Sequence, residues 1–278
     1  MKVIFDSVSA KCSKVVTKTY STSFSLGIRF LDKSCREAIY AIYGFVRLAD
    51  EIVDSFHDYD KTNLLNKFKR DCKEAIEEKI SLNPILNAFQ KAVNQYQIKQ
   101  ELIDLFLKSM EMDLKKEEYT PQRYDEYILG SAQVVGLMCL QVFVQGDDGR
   151  YEQLKESAMK LGSAFQKVNF LRDLKADYYL LSRSYFPGVD LSIFSIDEKR
   201  SIEQEISAEF DAALAGIRGL PKSSRRGVYL AYIYYKELFE KIKKKTANQI
   251  MSDRIRISNP HKFVLMLSSV FKSKYYGI

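Results

Sequence analysis

Residues 43–54, YGFVRLADEIVD, place charge where a helix would bury it. In helical register Arg47, Asp50 and Asp54 stand at i, i+3 and i+7, on a face shared with Tyr43 and, one turn earlier, Tyr40. That face is otherwise apolar. The stretch 166–177, QKVNFLRDLKAD, repeats the device, with Asn169, Asp173 and Asp177 at i, i+4 and i+8 and Gln166 one turn before them. Two helices that each turn an Asp pair inward restrict the fold severely. Carboxylates on an inner face repel one another, and burying one without a partner costs several kcal/mol, so the helices must enclose something that neutralises the group.

A divalent cation answers that need. Oxygen donors alone, with no His or Cys beside them, point to Mg²⁺ or Mn²⁺ and away from Zn²⁺. Magnesium takes one or two protein carboxylates and completes its shell with water and phosphate oxygens, which implies a phosphorylated substrate. Arg47 and Arg172 suit the same anion.

The scaffold reads as all α. Only 12 Gly and 5 Pro interrupt the chain, and apolar residues recur at three and four rather than two. A first short helix precedes Ser21. Ser34 and Glu37 form a capping box for the helix that carries the first motif, which runs to about Ser55. Further helices are predicted over 60–80, from Asn83-Pro84 to Tyr96, over 99–115 and from Thr120-Pro121 onward. Gly130 and Gly136 fall inside that last helix, at roughly 1 kcal/mol each relative to Ala, for close packing or for room beside a bulky chain. The second motif helix spans about 151–181 and ends in the turn RSYFPG. Ser195 and Glu198 cap a helix to about Ile217; Leu220, Pro221 and Gly227 mark the entry to AYIYYKELFEKI, and a last helix covers about 260–275. No linker or repeat breaks the series, so a single-domain helical bundle over residues 1–278 is predicted, with the Asp pairs facing each other across a central cavity.

The DxxxD of DEIVD, the NFLRDLKAD, YSTSFSLG and RSYFP segments together resemble the squalene and phytoene synthases, head-to-head prenyl transferases of the isoprenoid synthase fold. The resemblance runs from about Tyr20 to about Lys262. One DxxxD is a weak signal; two, the second within NxLRDxxxD and following SxSF at this separation, are specific. What it implies is a metal-binding set of Asp50, Asp54, Asn169, Asp173 and Asp177, with Glu51 assisting. Ser21, Tyr43, Arg47, Gln166, Arg172, Tyr234, Arg254 and Lys262 become diphosphate-facing groups, Phe24 a cavity wall, and Tyr127 a catalytic or cation-stabilising residue. On its residues alone the Ser21 segment is equally a Ser/Thr turn before a helix, and Tyr234 at helical spacing equally a core residue. Tyr20 departs from the family, which commonly has His there.

The implied reaction joins two prenyl diphosphates through a cyclopropyl diphosphate, with Mg²⁺ drawing off diphosphate. Squalene synthases also consume NADPH; phytoene synthases do not. Ile28, one turn beyond Phe24, stands where shorter-chain bacterial enzymes tend to carry a larger aromatic, which favours phytoene from geranylgeranyl diphosphate over a C30 product from farnesyl diphosphate. A wall rich in rings, from 18 Tyr and 17 Phe with no Trp, suits a carbocation as well as it suits an ordinary core. Two other classes stand beside this reading: an inactive relative serving assembly or binding, which has no need of both Asp pairs, and a terpene cyclase consuming one substrate molecule.

Charge bears on partners. The net +7 is uneven, with +11 over residues 218–278 and −4 over the rest. That asymmetry and the lipid chemistry predict peripheral contact of the C-terminal region with an anionic membrane; no nucleic-acid module is present, and nothing sets an oligomeric state. Four dispersed cysteines and two histidines argue against zinc or a His triad. With no run of eighteen apolar residues and no convincing signal peptide, cytoplasmic residence is expected, at the inner face of the cell membrane.

Overall fold

In the computed structural model, residues 1–115, 119–179, 185–189, 194–252, 255–257 and 265 are described, without the side chains of 176–179. They form α1 (Lys2–Tyr20), α2 (Thr22–Arg29), α3 (Lys33–Asp54), α4 (Lys61–Glu78), α5 (Pro84–Tyr96) and α6 (Gln100–Asp113). After these come α7 (Pro121–Ile128), a π-helical turn (Leu129–Gln133), α8 (Val134–Val144), α9 (Asp148–Tyr179), α10 (Ile196–Gly219), α11 (Lys222–Lys243) and α12 (Ala247–Ser252). No strand occurs among the described residues, and the helices make one domain around the long α9.

Local chemistry sets most of the helix starts. The Asn83 side chain accepts from the amides of Ile85 and Leu86 with Pro84 in the first turn, Thr120 accepts from Arg123 ahead of Pro121, and Ser195 and Glu198 complete a reciprocal capping box. The start of α3 differs from expectation. Asp32, not Ser34, is its cap: the carboxylate accepts from the Ser34 amide at 3.0 Å, so Ser34 lies inside the first turn. Asp two positions earlier reaches the free amides first. Asp32→Ala should destabilise the protein, read as a lower urea midpoint at unchanged m. The first helix is also longer than expected, at 19 residues. The predicted helix over 260–275 lies outside the described residues, apart from Leu265.

Close packing accounts for the glycines of the central helices. A Cβ on Gly130 would lie 2.6 Å from both the Leu105 carbonyl oxygen and Ser109 Cβ. Gly136 and Gly162 make the same kind of approach between the α7–α8 segment and α9, with Cβ positions 2.9 Å from the Ala158 and 2.6 Å from the Ala132 carbonyl oxygens. The segment Pro121–Val144 is apolar and long enough to cross a membrane, contrary to the sequence expectation, but 67% of its most apolar window is buried inside the protein, as in a core helix.

Two apolar clusters result. One is built from α2–α6, α8 and the start of α9, and includes Phe45, Phe89 and Phe106; the other is built from α7, the rest of α9 and α10–α12, and includes Phe170, Phe210 and Phe239. Val228 packs against both. The first motif helix, α3, lies in the first cluster, and the motif-bearing part of α9 lies in the second.

Candidate active site

α3 presents Tyr43, Arg47, Asp50 and Glu51 as a half-buried edge, whereas Asp54, expected to face inward with Asp50, is exposed because it lies at the last residue of the helix. Arg47 donates from Nε to Glu51 Oε2 at 3.0 Å, one turn on, and its guanidinium sits 4.3 Å from the centre of the Tyr20 ring. Burial works to raise the Glu51 carboxyl, but hydrogen bonds from Arg47, Ser55 and Tyr20 hold it below the usual range. Tyr20, where the resembling family commonly has His, thus closes over the Arg–Glu pair.

Asp50 lies at the strained point of this edge. Burial pushes its carboxyl up to about 7; the Asp54 charge adds, Arg47 opposes, and Asp113 and Glu51 add again. Asp113, from the last turn of α6, is the residue that sequence reading missed. It lies in the charged run EMDLKKEE, where no periodicity separates an inward carboxylate from a solvated one. Asp113 Oδ2 accepts from the Tyr127 hydroxyl at 2.9 Å. Tyr127, two residues before the π-helical segment, stacks on Tyr185 and Phe170, with centroids at 5.3 and 6.1 Å. Burial, then the Asp113 charge, drives its phenol well above the ordinary value, so it remains a protonated donor.

On α9, Phe165, Gln166, Asn169, Arg172 and Asp173 form the matching half-buried edge. Arg172 Nε reaches both oxygens of Asp173 at 3.1 Å, and Asn169 Oδ1 accepts from the Tyr235 hydroxyl at 3.4 Å. The phenol that meets this edge is therefore that of Tyr235 rather than Tyr234. Tyr234 is 2% exposed, and burial alone raises it to about 12, whereas Tyr235 also feels Arg172 and Asp173. Neighbours on a helix point about 100° apart, and sequence spacing does not choose between them.

Aromatic rings join the two edges. Phe24, from α2, has its centroid 5.8 Å from Tyr43, 5.8 Å from Tyr235 and 6.2 Å from Phe165, while Phe165 and Tyr235 stack at 3.9 Å. Tyr43 is pushed up to about 12 by burial, feels Arg47, Tyr235 and Asp50, and shares a hydrogen bond with Ser21. Ser21 also caps α2, accepting from the Phe24 amide at 3.2 Å, so the Ser/Thr turn and a place at the site coexist. Arg254 and Lys262 lie outside the described residues, as does the Asp177 side chain on the last turn of α9.

Among the described residues no three His, Cys, Asp or Glu side chains gather as an ion-binding group. The donors nevertheless suit Mg²⁺ or Mn²⁺. They are oxygens only, and Asp54, Asp113 and Glu51 oppose the ionisation of Asp50, which a bound divalent cation would relieve.

The class defined by this fold and site is the all-α isoprenoid synthase. A profile of the squalene/phytoene synthase family matches residues 17–261. The 4,4'-diapophytoene synthase of Staphylococcus haemolyticus is 28% identical over 92% of this chain and 95% of its own, and the phytoene synthase of Arthrospira platensis 25% identical over 85% and 84%. A solved dehydrosqualene synthase superposes with a TM-score of 0.84 at 21% identity, covering 98% of both chains. The chain belongs to the squalene/phytoene synthase family, whose members are prenyl transferases that join prenyl diphosphates head to head.

Proposed function

We propose that the protein condenses two geranylgeranyl diphosphates to phytoene. The observation that carries the reading is the joining of two acidic edges through a ring cluster: Asp50 and Arg47 on one helix, Asn169, Arg172 and Asp173 on the other, with Phe24, Tyr43, Phe165 and Tyr235 between. Arg47, Arg172 and Ser21 receive diphosphate oxygens, and the rings border the prenyl chains. In the first half-reaction the C–O bond of one substrate breaks, diphosphate leaves, and the double bond of the second attacks the allylic cation. Loss of a proton closes the cyclopropane. In the second, the remaining diphosphate leaves, the cyclopropylcarbinyl cation rearranges, and a further proton loss gives the linear triene centre without a reductant.

Asp50, Asp54, Asn169, Asp173 and Asp177 are the groups that would hold Mg²⁺ or Mn²⁺, which when bound supplies Lewis-acid stabilisation of the departing diphosphate. Ring faces stabilise the passing cations. The Tyr127 phenol, kept protonated, donates its one hydrogen bond to Asp113, so it holds that carboxylate in place rather than acting as a base, and its ring stands with those that stabilise the cations.

Chain length rests on Ile28, which is 4% exposed beside Leu31 and one turn beyond Phe24. A C30 product is the second reading, favoured by the diapophytoene synthase match over nearly the whole chain. Purified protein with Mg²⁺ and either farnesyl or geranylgeranyl diphosphate, with and without NADPH, should yield a C40 triene from the C20 substrate without reductant. C30 product alone would sink the phytoene reading. Ile28→Phe should move the preference toward C15 substrate by about tenfold in kcat/KM, the scale of one or two methylenes in an apolar pocket.

A further inference from the structure

Helix α1 is built inside out. Its buried positions are Ser9, Ser13 and Thr17, each fully buried, while Val3, Ile4, Val8 and Val15 are 79%, 69%, 45% and 62% exposed. The hydroxyls go inward because α1 packs closely on α3, where a Cβ on Gly44 would already stand 3.1 Å from Ser13 Oγ. Ser9 and Thr17 satisfy themselves on their own helix, donating to the Phe5 and Ser13 carbonyls at 2.9 and 2.8 Å. Small residues inside explain the fit but leave the aliphatic residues outside without a packing role.

The outer face has a definite pattern. Ile4, Val8, Lys11 and Val15 follow one another at four, three and four residues, so they form a single stripe along about three turns, and Lys18 continues it. The only carboxylate of α1, Asp6, is turned away from this stripe and accepts from Asn87 and Lys2. Aliphatic side chains flanked by lysines, with no exposed acid, fit the surface of an anionic bilayer. They do not fit a second copy of the same face, since pairing would bring lysine against lysine.

We propose that the outer face of α1 docks the protein on an anionic lipid surface, with Ile4, Val8 and Val15 entering the headgroup–acyl boundary and Lys11 and Lys18 meeting lipid phosphates. The helix ends at Tyr20 and Ser21, which contact Arg47 and Tyr43 at the edge of the site. Docking along α1 therefore brings the diphosphate-facing edge close to the membrane. This places attachment on the N-terminal helix instead of the basic C-terminal region.

Flotation with phosphatidylcholine vesicles, with and without phosphatidylglycerol, tests the surface on the full-length chain. Wild type should float only with the anionic vesicles and less as salt rises. Lys11→Glu with Lys18→Glu should weaken partitioning about tenfold or more, and Ile4→Ser with Val15→Ser by a similar factor. All four side chains are exposed, so thermal midpoints and condensation assayed in detergent should stay at wild-type levels, which separates this surface from the catalytic reading. Undiminished flotation of both double variants overturns the proposal. So does flotation lost only on reversing Lys243 and Lys244, or a solution dimer that the α1 variants dissociate.

Discussion

Asp50→Asn should lower kcat/KM for condensation by about a thousandfold or more while stabilising the metal-free protein. Both effects come from one cause. The carboxyl is held in the fold near pKa 7 by burial and by Asp54, Asp113 and Glu51, against 3.8 in an ordinary setting. The folded state therefore binds this proton more tightly than the unfolded chain does. Below the unfolded value the group costs nothing; its ionisation then opposes folding increasingly as pH rises toward 7, and by a constant amount above that. Asparagine carries no such charge. The gap in thermal midpoint, variant above wild type, should be small at about pH 4 and widen to a few degrees at about pH 8. Millimolar Mg²⁺ with inorganic diphosphate should raise the wild-type midpoint and leave the variant nearly unmoved. A variant no more stable than wild type at the higher pH would remove the electrostatic account of this residue.

Gly130→Ala should destabilise the protein by about 2–3 kcal/mol, even though alanine is the better helix former by roughly 1 kcal/mol. The added methyl would meet the Leu105 backbone carbonyl at 2.6 Å, together with Ser109 Cβ, and a helix backbone cannot turn aside as a long side chain can. Either α6 separates from the π-helical turn or the turn unwinds. Each route disturbs Asp113 at the end of α6 and Tyr127 just before the turn, so the Tyr127–Asp113 hydrogen bond should weaken as well. A thermal midpoint lower by several degrees, with reduced activity, is the expected result. If the glycine instead leaves room for a prenyl chain, stability would hold and only product length or kcat would change.

Much of the site was legible because its residues lie on two helices. A repeat of three or four residues maps directly onto one face, so Arg47 with Asp50 and Asn169 with Asp173 could be grouped from spacing alone. The caps at Asn83, Thr120 and Ser195 were readable for a similar reason, since each depends on a side chain and amides two or three positions away. Where two local signals competed, as at Asp32 and Ser34, the nearer carboxylate took the amides.

Asp113 was not legible. It comes from a third helix and has no periodic partner, and only the docking of α6 against the π-helical turn brings it to Tyr127 and Asp50. The same holds for Tyr235 over Tyr234, decided by how α11 is rotated against α9, and for Tyr20 over Arg47. By itself the sequence determined an all-α chain with a charged, half-buried edge on each of two helices, because periodicity and capping act within one or two turns. Which third residue meets those helices, and which face of α1 stays outside, was decided by tertiary packing: contacts between helices depend on their relative rotation and approach, and small residues such as Gly44, Gly130 and Gly162 set these against backbone and side chains far away in the chain.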